Sequence, residues 1–167
     1  EIHRVEAGLR SIGLGPEVDQ VPLYGELPRT MQDMAIRPPL SGRRKVVLAT
    51  NIAETFITID GVRVVIDGGL QRVQRFAPSI GMSRLETVRV TAGSSDQRSG
   101  RAGRTGPGIS IRLWSEAENS GLREKNTPEI MEADLTSLAL ELAIWGVKDP
   151  ASLRWLDLPP AGALSQA

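Results

Sequence analysis

The sequence predicts an α/β fold built on a parallel sheet, and three observations carry that prediction. Residues 45–50 and 62–67 are short, nearly continuous apolar runs, the pattern of strands buried on both faces and not of half-wet strands. They alternate with stretches of helical period, punctuated by Gly and Pro, in the order that feeds a parallel sheet with helices on both faces. The chain has 167 residues, 40% of them hydrophobic, enough for one domain or for one domain plus part of another.

Each element follows from local pattern. Ile2, Val5, Leu9 and Ile12 recur at helical spacing and Gly13 supplies the stop, giving an amphipathic helix over 2–12. Residues 18–24 form a short strand that ends at Gly25. Pro28 then opens a helix that Pro38-Pro39 must terminate. The apolar strand 45–50 follows, and a polar segment leads to the strand 62–67, which Gly68-Gly69 ends. Residues 70–76 and 82–90, rich in Arg and Val around Ala77-Pro78-Ser79-Ile80-Gly81, make a protruding β-hairpin with one wet face. Ser94 or Ser95 is expected to cap an arginine-rich helix, and residues 109–114 return as an apolar strand. Ser115 with Glu118 is a capping box for a short helix.

The remainder has a different character. Thr127-Pro128-Glu129 has the cap, N1 proline and first-turn acid of a helix start, and Leu135, Leu138, Leu142 and Trp145 run at helical spacing to Gly146. Asp149-Pro150 starts a further short helix before Pro159-Pro160.

Formal charge is zero, but it is unevenly distributed. Residues 71–112 carry Arg72, Arg75, Arg84, Arg89, Arg98, Arg101, Arg104 and Arg112 against only Glu86 and Asp96, whereas residues 116–167 carry nine acids against Arg123, Lys125, Lys148 and Arg154. A basic block of that kind either faces phosphate and nucleic acid or pairs with the acidic tail. With no cysteine and His3 alone, disulfide, thiolate and His/Cys metal chemistry are excluded, and no metal site is expected in this chain. No apolar run reaches the length of a membrane span, so no membrane partner is expected and a cytoplasmic setting is. The opening at Glu1 without methionine suggests a fragment.

Two stretches carry the chemistry. Gln97-Arg98-Ser99-Gly100-Arg101-Ala102-Gly103-Arg104 places Arg101 and Arg104 three apart, stacked on one face if helical, with Gly100 and Gly103 as a bare stripe that lets another backbone come close. Two planar, permanently charged forks aimed at one target suit bidentate capture of phosphate oxygens. Ala49-Thr50-Asn51-Ile52-Ala53-Glu54-Thr55-Phe56-Ile57-Thr58-Ile59-Asp60-Gly61 leaves a buried strand at its C-terminal end, where open α/β sheets bind ligands. Its short polar side chains and backbone amides suit sugar and phosphate oxygens.

These two stretches, with the Pro22–Pro28 run PLYGELP and the SLRWLDLPP run near the end, resemble the DEAH-type superfamily 2 RNA helicases, most closely bacterial members. The 49–61 stretch is similar to the family's motif V and 97–108 to its motif VI, and the resemblance covers nearly the whole chain. It implies that residues 1–124 are the second RecA-like domain, one wall of an ATP cleft whose other wall is an upstream RecA-like domain. It implies also that residues 125–167 begin a degenerate winged-helix domain. Neither G-x-x-x-x-G-K-[ST] nor Asp-Glu-x-His occurs here, so by the resemblance the phosphate loop and the Mg²⁺ ligands lie upstream, and this piece alone should not hydrolyse ATP.

By the same resemblance Gln97 orients the attacking water, and Arg101 and Arg104 are arginine fingers on the γ-phosphate. Thr58 and Asp60 face the nucleotide, Ile36 lies under the base, and Gly25, Thr50 and Asn51 hold the sugar-phosphate backbone of single-stranded RNA or of one strand of an RNA duplex. ATP is the implied nucleotide, with other NTPs accepted, and unwinding is implied to run 3′ to 5′ with the hairpin separating strands. Family members carry Ser where this chain has Phe56, and an aromatic where it has Ile36, so no hydroxyl contact is assigned at Phe56 and only an aliphatic face at Ile36. Two other functions fit a similar fold: a non-enzymatic RNA-binding or scaffold module, and a DNA-directed superfamily 2 helicase.

Overall fold

The computed structural model describes residues 1–55, 57–78, 80–104 and 106–167; Phe56, Ser79 and Thr105, on which parts of the motif and hairpin readings fall, lie outside the described residues. The chain forms two compact units, Glu1–Gln71 with Arg89–Glu124, and Arg72–Val88 with Lys125–Ala167.

In the first unit, α1 (Ile2–Ile12) ends where Gly13 takes a left-handed φ of 72° and donates to Arg10 O. β1 (Val18–Leu23) and β2 (Arg44–Ala49) pair in parallel from Val18↔Arg44 to Leu23↔Ala49, and α2 (Arg29–Ile36) connects them. Val21, Leu23 and Ala35 are the buried centre, and Val47, Ile52, Ala53, Ile57 and Ile59 pack around it. The one-turn helix α3 (Ile52–Thr55) leads on to β3 (Val64–Asp67), which pairs in parallel with β6 (Ile109–Arg112). Helix α4 (Ala92–Gly100) packs on the β3 face that carries Asp67, while Val64, Ile66, Ile109 and Ile111, brought together by the register Val64↔Ile109 and Ile66↔Ile111, leave the other face exposed. α5 (Glu116–Ser120) begins with the full reciprocal capping box of Ser115 and Glu118.

The cap of α4 differs from the sequence expectation. Thr91 is the N-cap, its hydroxyl accepting from Ser94 N at 3.2 Å, and Ser94 and Ser95 are buried inside the helix. Thr91 has the extended backbone a cap requires (φ −87°, ψ 161°), so conformation chose among three hydroxyl residues that composition could not separate.

The second unit holds most of a hairpin, β4 (Leu70–Ala77) and β5 (Met82–Arg89), which pair with each other. The hairpin is tied to the acidic tail: Phe76 N donates to Glu132 O at 3.0 Å, and Arg75 bridges Glu86 and Glu132, each at 3.2 Å. The expected helix start at Thr127-Pro128-Glu129 yields only a single 3-10 turn, Glu129–Met131. The following helix, α6 (Thr136–Ile144), starts where Asp134 Oδ1 accepts from both the amide and the hydroxyl of Thr136. Leu135 and Leu142 are its buried contacts, whereas Trp145 is exposed. Asp149 accepts from Ala151 N to open a 3-10 turn at Pro150–Ser152, and α7 (Ala161–Gln166) ends the chain.

Candidate active site

The site is built at the C-terminal ends of β1 and β2. Thr50 N donates to Leu23 O at 3.1 Å, which holds the exit of β2 beside the exit of β1 and its Gly25 turn; Gln32 Nε2 donates to Gly25 O at 3.3 Å and Leu27 O at 2.8 Å to brace that turn. Thr50 and Asn51 spend their carbonyls on Ala53 N and Glu54 N, so their exposed side chains remain presented at the start of α3. Over residues 57–60 burial alternates: Ile57 and Ile59 pack against the core while Thr58 and Asp60 are exposed.

The two motif arginines do not stack on a helix. Helix α4 stops at Gly100, Arg101 is its C-cap, and Arg104 follows in a turn. Nor do Gly100 and Gly103 make a close approach, since an added Cβ would meet nothing within 4 Å at either. The tight point is Gly108, where a Cβ would sit 2.0 Å from Ala102 O, so the chain folds back against its own turn there.

Arg101 points inward, donating from Nη1 to Ile57 O at 3.0 Å and from Nη2 to Glu54 O. Burial, and then the neighbouring charge of Arg104, lower its pKa from the ordinary arginine value, with Glu54 opposing; so strong a base remains a cation at neutral pH. Arg104 is exposed and donates from Nη1 to Thr58 Oγ1 at 2.7 Å. Gln97 lies exposed one helical turn before Arg101, without a side-chain hydrogen bond among the described residues. Thr58, Arg101 and Arg104 therefore converge, next to the turn that carries Thr50 and Asn51.

Ile36 is not drawn into this group. It occupies the last turn of α2, and Lys45, at the start of β2, donates to the carbonyls of Ala35 (2.6 Å), Met34 (3.4 Å) and Arg37. That is the opposite end of β2 from Thr50. Asp60 has no hydrogen bond or ion pair among the described residues.

A buried ionic cluster beneath the site was missed in the sequence. Arg98 donates from Nε to Glu54 Oε2 at 3.0 Å and from Nη1 to Asp67 Oδ1 at 2.9 Å and Leu70 O at 3.1 Å, while Ser94 Oγ donates to Glu54 Oε1 at 2.5 Å. The side chains of Arg98, Glu54 and Asp67 are only 17%, 10% and 2% exposed. One signal was present: Asp67 ends an apolar strand, and a charge in that place needs a buried partner. No three His, Cys, Asp or Glu side chains are grouped to cage a metal ion among the described residues.

Comparison with known proteins identifies the family. Residues 4–106 match the family described as Helicase conserved C-terminal domain. Over 160 residues, 96% of the chain, the sequence is 49% identical to the ATP-dependent RNA helicase HrpB of Escherichia coli. Over 145 residues, 87% of the chain, it is 42% identical to the Arabidopsis thaliana pre-mRNA-splicing factor ATP-dependent RNA helicase DEAH10. The fold is similar to a crystal structure of the E. coli DEAH/RHA helicase HrpB, with a TM-score of 0.92 and 47% identity over 99% of this chain and 21% of that one. The chain spans about one fifth of the length of these relatives, 20% of each of the two sequences. On the match over residues 4–106 and the identity to these relatives, the chain belongs to the helicase conserved C-terminal domain family, with DEAH-type RNA helicases among its relatives.

Proposed function

We propose that this chain is the second motor domain of an ATP-dependent RNA helicase, supplying Arg101 and Arg104 to the γ-phosphate of ATP bound against an upstream RecA-like domain. The convergence of Thr58, Arg101 and Arg104 on one surface carries this reading. Phosphoryl transfer needs little covalent help from protein. It is accelerated by positioning the reactants and by fixed positive charge where negative charge spreads over the equatorial oxygens. Arg101, braced by two carbonyls, is pre-set, and Arg104 is steadied through Nη1 by the Thr58 hydroxyl while its other N–H donors, without a partner among the described residues, are available to phosphate oxygens. Gln97, one turn earlier, orients the attacking water, and Asp60 faces the nucleotide beside Thr58.

Gly25, Thr50 and Asn51 hold the backbone of a single RNA strand at the exits of β1 and β2. Such contacts position a strand and do not read its bases. By the resemblance, the phosphate loop and the Mg²⁺ ligands belong to the upstream domain, since neither G-x-x-x-x-G-K-[ST] nor Asp-Glu-x-His occurs in this sequence. Movement 3′ to 5′, and a boundary near residue 124 with a winged-helix domain beginning after it, complete the proposal on the strength of the resemblance.

The test uses the full parent protein. ATP turnover is measured without nucleic acid, with single-stranded RNA and with single-stranded DNA. Turnover stimulated by RNA above DNA is expected. Equal stimulation by DNA favours a DNA-directed motor, and no turnover under any condition favours a binding module.

A further inference from the structure

The cluster beneath the site joins the strand-facing turn to the arginine segment through Glu54. Glu54 takes Arg98 and Ser94 on its carboxylate, takes Arg101 on its carbonyl, and closes the turn that begins at Asn51 through Glu54 N to Asn51 O at 2.9 Å. Asn51 and Glu54 are therefore three residues apart on one tight turn, about 4.5 Å along a helical axis. A displacement of that turn moves both the acid that grips α4 and one of the two carbonyl oxygens that hold Arg101, the other being Ile57 O.

Stability alone does not account for this arrangement. Two acids and one arginine are largely withdrawn from water together, and Asp67 Oδ2 has no hydrogen-bond partner among the described residues. Desolvation largely cancels the attraction within buried ion pairs, and apolar residues of equal volume often serve stability as well or better. What the cluster does supply is geometry. The guanidinium of Arg98 spans Glu54 on α3 and Asp67 at the end of β3, so α4 is fixed against both at once.

We propose that Glu54 is a positioning residue, which makes the placement of Arg101 depend on whether a strand occupies Thr50 and Asn51. This rests on the assignment of Arg101 to phosphate and of Thr50 and Asn51 to the strand backbone. A strand held at the start of α3 draws the turn into one position, and Glu54 transmits that position to α4 through Arg98 and to the guanidinium of Arg101 through its carbonyl. Asp67 is the fixed anchor against which the shift is made.

The decisive quantity is the ratio of ATP turnover with saturating single-stranded RNA to turnover without it, measured in the full parent protein. Glu54→Gln keeps volume and the Ser94 contact but loses the charge that holds Arg98, and it is expected to lower the ratio about tenfold, within the range of ordinary coupling between sites. Arg98→Lys keeps the charge but cannot span both acids, and it is expected to do the same. The double variant should lower the ratio no further than the worse single one, because both remove one connection. Partial misfolding reduces the active fraction and scales both rates together, so it leaves the ratio unchanged. If Glu54→Gln does not fold, Arg98→Lys decides. A wild-type ratio in the folded variants overturns the positioning role. Arg101→Ala is measured alongside: wild-type turnover there removes the phosphate assignment and this proposal with it, whereas an inactive Arg101→Ala beside unchanged ratios overturns the positioning role alone.

Discussion

Arg104 donates from Nη1 to Thr58 Oγ1 at 2.7 Å, joining two segments 46 residues apart in the chain. The bond places the last arginine of one motif on the exposed hydroxyl of the other. Thr58→Val keeps the shape and removes the acceptor, so Arg104 loses its resting position. A hydrogen bond to a charged group contributes about 1.5–3 kcal/mol, and kcat/KM for ATP in the parent protein is expected to fall about tenfold or more. Steady-state kinetics check this, and an unchanged kcat/KM would show that the contact is incidental.

Gly100 and Gly108 make opposite predictions. An added Cβ finds open space at Gly100, in the last turn of α4, but lies 2.0 Å from Ala102 O and 2.4 Å from Ala102 C at Gly108. Gly100→Ala is expected to be neutral or to stabilise by up to about 1 kcal/mol, the helical advantage of alanine. Gly108→Ala forces backbone apart and is expected to destabilise by about 1–3 kcal/mol. Urea unfolding of the two variants, read as a change in midpoint at constant slope, separates them.

Acid should weaken the β1–β2 edge through Asp19. The hydrogen bond from Arg43 holds its carboxyl below the ordinary value against burial, with the charges of Arg43 and Lys45 assisting, and Arg43 Nε lies 3.0 Å from Asp19 Oδ2. Because the folded pKa is depressed, this contribution is fully present above the unfolded value of about 4 and is lost as pH falls through the folded one. Asp19→Asn should therefore be less stable than wild type at pH 7 and converge with it in acid. Equal stability of the two at pH 7 contradicts the assignment.

Much of this was legible in the chain. Gly13, the apolar strands, the hairpin and the Ser115–Glu118 box lie where local rules place them, because each depends on neighbours in sequence. Thr58 and Asp60 were also accessible to that reasoning, since Ile57 and Ile59 alternate with them and must sink. What was lost depends on distance in the chain or on backbone angles. Arg98 meets Glu54 and Asp67 across 44 and 31 residues, which no window of periodicity spans. Arg101 and Arg104 leave the helix because it ends at Gly100, and the 3-10 turn at Glu129–Met131 stops after three residues, the longer helix beginning only at Thr136.

The residues assigned to the nucleotide bear on its choice. Thr58, Asp60, Arg101 and Arg104 are assigned to ribose, water and phosphate, and Ile36, at the far end of β2, brings no donor or acceptor to a base. Strong discrimination requires buried polar groups that go unpaired with the wrong base, so GTP, CTP and UTP are expected to be used within about tenfold of ATP. Values of kcat/KM for the four nucleotides with saturating RNA check this. A preference for ATP beyond about a hundredfold would establish a polar base contact.

The central assignment is that Arg101 and Arg104 act on the transferred phosphate, and single-turnover hydrolysis by Arg104→Ala in the full parent protein, with saturating ATP and RNA, tests it most directly. The expected result is a rate lower by about a thousandfold or more with the Kd for ATP nearly unchanged, as for removal of a finger in related phosphoryl transfer. A wild-type rate would contradict the assignment.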